Sequence, residues 1–117
     1  LKLVNTERKK AGLTELTWDD TVATAAMTRS KEIEKSFSHT RPDGRNFGTA
    51  ITDLGITYRG AGENIAWGQK TPEAVMNAWM NSEGHRANIL NPNFKKLGVG
   101  YRTDSQRTPY WTQLFTY

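Results

Sequence analysis

An α+β domain, with helices packed on a small antiparallel sheet, is the fold class this sequence predicts. Three observations lead to it. Apolar residues keep helical spacing through the first third of the chain, with Val22, Ala26 and Ile33 as the clearest run. Glycine-rich bends punctuate the middle, and two extended stretches, Leu97 to Arg102 and Tyr110 to Tyr117, close the chain as a hairpin over a Thr103 to Pro109 loop. At 117 residues the chain has the size of one domain, residues 1–117, with no internal repeat, linker or low-complexity run.

The elements follow in order. Leu1, Val4, Arg8 and Ala11 share a helix face that Gly12 stops. Thr17, with Asp19 and Asp20 behind it, reads as the N-cap of a longer helix, because acidic residues suit the positive first turn. Its expected buried stripe is Val22, Ala26, Ile33 and Phe37, with Arg29, Lys31, Glu32, Glu34 and Lys35 on the polar side, and it ends where His39 begins. Arg41-Pro42-Asp43-Gly44 carries turn chemistry. Phe47, Ile51 and Leu54 suggest a third short helix closed by Gly55. Ile56 to Tyr58 and Glu63 to Trp67 read as extended pieces around Gly60-Ala61-Gly62, a bend that implies a close backbone approach. Thr71-Pro72-Glu73 starts a fourth helix with Ala74, Val75, Ala78 and Trp79 on its apolar face, expected to stop at Gly84. Asn91-Pro92 is a turn. Trp67, Trp79 and Trp111 are expected in the core.

Composition narrows the function classes. No apolar run approaches the ~20 residues of a membrane helix. Zero cysteines exclude a disulfide scaffold and thiolate ligands. The formal charge of +4 is spread along the chain, and its densest clusters, Arg8-Lys9-Lys10 and Lys95-Lys96, are short and lack interleaved aromatics. That pattern argues against nucleic-acid recognition and fits solubility or attraction to an anionic cell wall. Because the chain starts inside a helix, it is expected to be a piece of a longer product.

Both histidines sit in polar motifs crowded with small residues, Ser38-His39-Thr40-Arg41-Pro42-Asp43-Gly44 and Ser82-Glu83-Gly84-His85-Arg86-Ala87-Asn88-Ile89-Leu90, with Gly62-Glu63-Asn64-Ile65-Ala66 between them. Any metal or acid-base chemistry near neutral pH would lean on this pair. The plainer reading is two surface histidines at helix ends. For Arg41 and Arg86 a salt bridge or capping role is favoured, and Asn64, Ser82, Asn88 and Gln113 read as residues that satisfy buried polar groups.

These motifs, together with Val4-Asn5-Thr6-Glu7-Arg8, Leu13 and Leu16, Trp79, Leu97-Gly98-Val99-Gly100 and Tyr110-Trp111-Thr112-Gln113, give the chain its likeness to a family. It resembles the bacterial, SCP-like branch of the CAP superfamily, which takes in cysteine-rich secretory proteins, antigen 5 and pathogenesis-related 1 proteins. The resemblance runs nearly end to end. It implies an α-β-α sandwich with helices on both sides of the sheet, an extracellular or cell-wall location, and a cleft lined by two histidines and two acidic residues that in some members hold a divalent ion. His39 matches the first histidine and Glu63 the first glutamate. Eukaryotic members place the second histidine and second glutamate where this chain has Tyr110 and Ser82, so His85 is the expected replacement, with Glu83 undecided.

On this resemblance the expected ligand-binding set is His39, Glu63, His85, Asn64, Ser82 and Glu83, converging on a solvent-open cleft. The metal-ligand set is His39, His85 and Glu63, for weakly held Zn²⁺ or another divalent cation; no cofactor is required. The structural alternative makes Glu63 a buried acceptor that fixes the glycine-rich bend; the flanking Gly60 and Gly62 favour its exposure instead. Two function classes follow. One is a non-enzymatic, monomeric binding module for a small ligand, glycan or protein at the cell envelope. The other is a hydrolase with His39, Glu63 and His85 as catalytic candidates, water activated by a metal or imidazole, and Glu63 as general base. The first is favoured, since no nucleophile elbow, HExxH helix or Ser-His-Asp signature is present.

Overall fold

The computed structural model describes all of residues 1–117. A four-stranded sheet in the order β1-β3-β4-β2 lies between two helical layers. Its strands are β1 (Thr17–Trp18), β2 (Ala61–Trp67), β3 (Lys96–Thr103) and β4 (Pro109–Thr116). β3 and β4 form the expected hairpin and β2 pairs antiparallel with β4, but β1 runs parallel to β3, so the sheet is mixed.

Strand alternation assigns each layer its residues. Leu114 joins Val22, Ala25 and Ala26 of α2 (Asp20–Lys35) and Ala50 and Ile51 of α3 (Thr49–Thr52). Leu97, Trp111 and Phe115 point the other way, into a cluster with Val4 of α1 (Lys2–Lys10), Val75, Met76 and Trp79 of α4 (Pro72–Met80) and Ile89 of α5 (Glu83–Ile89). Each fully buried large apolar side chain contributes about 1.5–3 kcal/mol. α2 lies directly on β3, because Gly98 and Gly100 face it. A Cβ at Gly98 would collide with the backbone of Val22 and Ala23, and one at Gly100 with that of Ala26. The close approach expected at the glycine bend is also present: a Cβ at Gly60 would strike the Tyr117 ring and one at Gly62 the Phe94 ring.

Several elements depart from the sequence reading. The N-cap of α2 is Asp19, whose carboxylate accepts from the amides of Thr21 and Val22 at 2.9 and 3.0 Å, while Thr17 is committed to β1. α2 ends at Lys35, and the extended Ser36 takes Phe37 out of helical phase, leaving it 49% exposed. On α1, Val4 and Arg8 face inward while Leu1 and Ala11 do not. Ile56 to Tyr58 forms no strand; the chain rejoins the sheet only where Arg59 and Gly60 bond to Tyr117. α4 stops at Met80, and Gly84 lies inside α5, whose N-cap Ser82 has extended backbone. Trp79 and Trp111 are core residues, but Trp67 is 58% exposed at the end of β2.

Arg8 is fully buried without a carboxylate partner. It donates to the carbonyls of Thr14, Ile89, Asn91 and Phe94, three of which lie at or just beyond the negative C-terminal end of α5.

Candidate functional site

Beyond the outer edge of β2, a cleft of about 540 Å³ separates the segment after α2 from the α4–α5 corner. Among its lining residues are His39, Ser82, His85, Trp67, Trp79 and Gln69. The structure thus brings both histidines to one cavity. The other expected residues lie elsewhere. Glu63 sits behind His39 with its side chain fully buried, Asn64 is buried beneath α5, and Glu83 is exposed on the first turn of α5 outside the cleft lining.

Glu63 points from β2 toward α2 and meets Arg29. The Arg29 Nε donates to Glu63 Oε2 at 2.6 Å and Nη2 to Oε1 at 3.1 Å, with neither side chain exposed. The expectation of an exposed Glu63 is therefore overturned: the glycines flanking the bend make room for Phe94 and Tyr117 instead of opening it to solvent. The same guanidinium donates to the Ser38 carbonyl at 2.6 Å, fixing the backbone immediately before His39, and to Glu32 at 2.9 Å. Burial alone would lower the Arg29 pKa, but the hydrogen bonds it donates to Glu63 and Glu32, and the charges of those carboxylates, outweigh it and raise it. Sequence reasoning placed Arg29 on the polar side of its helix. Its position in phase with Val22, Ala26 and Ile33 was the available sign that it faces inward.

His39 Nδ1 lies 2.7 Å from Glu63 Oε1, and its side chain is 58% exposed toward the cleft. Of the two tautomers of a neutral ring, a carboxylate on Nδ1 selects the one with the proton there, which leaves a lone pair on Nε2. His85 Nδ1 lies 2.8 Å from Ser82 Oγ, so the N-cap hydroxyl serves the imidazole and not the helix end. Burial, and then repulsion from the His39 ring in its protonated form, push the His85 pKa below the usual histidine value. Neither Nε2 has a protein partner.

The scaffold holding α5 to β2 is a chain of amides. Asn64 donates to the His85 carbonyl and to Gln113 Oε1, both at 3.1 Å, and Asn88 donates to the Glu63 carbonyl and to Asn64 Oδ1. These bonds set His85 opposite the strand that carries Glu63. Arg41 makes the salt bridges expected of it, to Glu32 and Asp53. Burial pushes the Glu32 carboxyl up, but hydrogen bonds from Arg41 and Arg29 hold it below its ordinary range. Gln69 Oε1, beside the cleft, is the one buried side-chain polar atom without a hydrogen-bond partner.

A divalent ion held by His39, Glu63 and His85 together does not fit this geometry. No group of three or more His, Asp or Glu side chains comes within metal-holding reach, and both Glu63 oxygens are engaged by Arg29 and His39. The chemistry the cleft offers is two imidazoles, a hydroxyl and an aromatic wall.

The model of the cysteine-rich secretory protein (CAP) family matches residues 1–115. The Bacillus subtilis (strain 168) protein YkwD is 47% identical over 98% of this chain, which covers 44% of YkwD. Among solved structures, an extracellular SCP-domain protein from Bacillus anthracis str. Ames superposes with a TM-score of 0.88 at 35% identity, over 97% of this chain and 37% of that one. An outer surface protein of Borrelia burgdorferi superposes at 0.87 with 24% identity, over 97% and 85%, which speaks to the fold alone. The chain spans less than half the length of YkwD and of the Bacillus anthracis protein. Both structural neighbours are extracellular or surface proteins, and no helix here is long and apolar enough to cross a membrane.

Proposed function

Since the chain belongs to the cysteine-rich secretory protein (CAP) family, in its bacterial branch, we propose that it is an extracellular binding module of the cell envelope whose ligand sits between His39 and His85. The observation that carries this reading is the shared cleft in which each imidazole has Nδ1 occupied, by Glu63 and by Ser82, leaving both Nε2 atoms for a ligand. A small ligand with hydrogen-bonding groups suits this pair, and so does a divalent ion held weakly by the two histidines, with Glu63 orienting His39 from behind. The hydrolase alternative assigns Glu63 as general base. The Glu63 side chain is fully buried and both its oxygens are engaged, by Arg29 and His39, so it does not reach a water in the cleft, which favours binding over catalysis.

Calorimetry with Zn²⁺ tests the histidine pair. Burial lowers the His85 pKa, which leaves that ring neutral and able to ligate at pH 7.5, and acidification sets protons in competition with the ion for imidazole nitrogen. The affinity is expected to be weak at pH 7.5, to fall at least about tenfold at pH 5.5, and to be lost in His39→Ala and His85→Ala alike. Equal affinity at the two pH values, or binding retained in either variant, refutes a two-histidine site.

A further inference from the structure

A second groove, of about 770 Å³, lies at the hairpin end of the sheet and is bordered by Trp67, Lys70, Tyr101, Gln106 and Arg107. We propose that this groove is a binding site for an anionic polysaccharide strand, distinct from the histidine cleft. Two exposed aromatic residues border it, Trp67 leaving β2 on the α2 side of the sheet and Tyr101 leaving β3 on the other, one at each flank of the hairpin end. Trp67 is 58% exposed, while Trp79 and Trp111 are 3% and 7% exposed. Tyr101 is 39% exposed and stacks on Trp111 with ring centroids 4.5 Å apart and planes 10° from parallel. One face of the tyrosine is thus covered and its opposite face held outward. The electron-rich faces of such rings match the C–H face of a pyranose, and a ring already fixed by stacking loses little freedom on binding.

The charge of the groove is of one sign. Lys70 and Arg107 are its cationic lining residues, both exposed and neither in an ion pair, and no carboxylate lines it. The nearby Asp104 is turned to the loop, where it accepts from the amides of Gln106 and Thr108 and from the Tyr110 hydroxyl. That bonding also pins the turn in which Arg107 holds a left-handed φ of 64°. The opposite wall is closed by the Gly68 amide on the Pro109 carbonyl. A groove bordered by two exposed aromatic residues and two free cations selects sugar rings carrying carboxylate or phosphate groups. Single-stranded nucleic acid also uses aromatics and cations, but it requires a basic track along several phosphates, and two cations do not make one.

Trp67 borders both cavities, so the test separates them. Binding of polygalacturonate, dextran, poly-L-glutamate and oligothymidylate to the immobilised protein is measured by biolayer interferometry over a range of salt. Polygalacturonate is expected to bind at least about tenfold more tightly than the neutral dextran or the sugar-free polyglutamate. Trp67→Ala is expected to weaken it at least about tenfold, and the Lys70→Ala/Arg107→Ala pair to weaken it and flatten its salt dependence. His39→Ala and His85→Ala are expected to leave it unchanged, so that failure of the histidine site and failure of this groove are told apart. Melting curves verify that the exposed-residue variants fold. The proposal is overturned by equal binding of polyglutamate or dextran, by tighter binding of oligothymidylate, by loss in the histidine variants, or by retention in both groove variants.

Discussion

Replacing Arg29 with Met is expected to cost about 3–5 kcal/mol in urea unfolding at neutral pH, because it strands the Glu63 carboxylate in a fully buried position. The Ser38 carbonyl and Glu32 lose a donor in the same step. The double variant Arg29→Met/Glu63→Met removes both charges and fills the space with apolar atoms. It is expected to recover more than half of that loss, since a buried ion pair exchanged for a packed apolar pair is often close to neutral. His39 then lacks the partner on its Nδ1, so the refolded double variant is expected to bind Zn²⁺ more weakly than the parent protein. Full recovery of stability with unchanged ion binding would show that Glu63 neither holds nor tunes the histidine.

Gly98→Ala is expected to be comparably severe. One methyl group at that position meets the backbone of Val22 and Ala23 and not the yielding end of a side chain. Relief requires lifting α2 off β3, which opens the packing of Leu114 against Ala25 and Ala26 along the way. A loss of about 3 kcal/mol or more is expected, at or beyond the upper end of overpacking changes. Gly84→Ala is the control. It sits within α5, with nothing near the position a Cβ would take, and is expected to stabilise by about 0.5–1 kcal/mol. A Gly98→Ala protein that unfolds at the same urea concentration as its parent would mean that α2 can move away from the sheet at little cost.

The parts of the fold that were legible are those where one period dominates. In β3, Leu97, Val99 and Tyr101 alternate with Gly98, Gly100 and Arg102, β4 is rich in aromatic, Thr and Leu residues and buried almost throughout, and α4 announces itself with Thr71-Pro72-Glu73. The misread parts are those where a polar residue does core work or a small residue carries two meanings. Arg29 has the side chain of a surface residue, and its partner Glu63 is 34 positions away, so the ion pair that buries both exists only once α2 is docked on the sheet. Gly84 reads as a helix stop, yet Ser82 begins a new helix there and carries His85 in its first turn. In the site, the two histidines were found from their motifs. What the motifs could not state is that Glu63 serves His39 from behind, because the face of β2 that Glu63 occupies depends on its pairing with β4, which sets Glu63 opposite Leu114.

The buried guanidinium of Arg8 also has a consequence for the order in which the molecule assembles. Its acceptors at Ile89, Asn91 and Phe94 lie 81 to 86 positions further along the chain. A chain emerging from its N-terminus has therefore made its first helix long before three of the four carbonyls that neutralise its one fully buried charge on that helix exist. Until they arrive, that guanidinium has to stay in water, and the helix cannot settle into its final seat. Closure of this long loop is a late event in folding, and a nascent chain cut before residue 94 is expected to leave α1 undocked and open to protease, while a chain that also carries β3 and β4, with Leu97, Trp111 and Phe115 to pack on Val4, protects it.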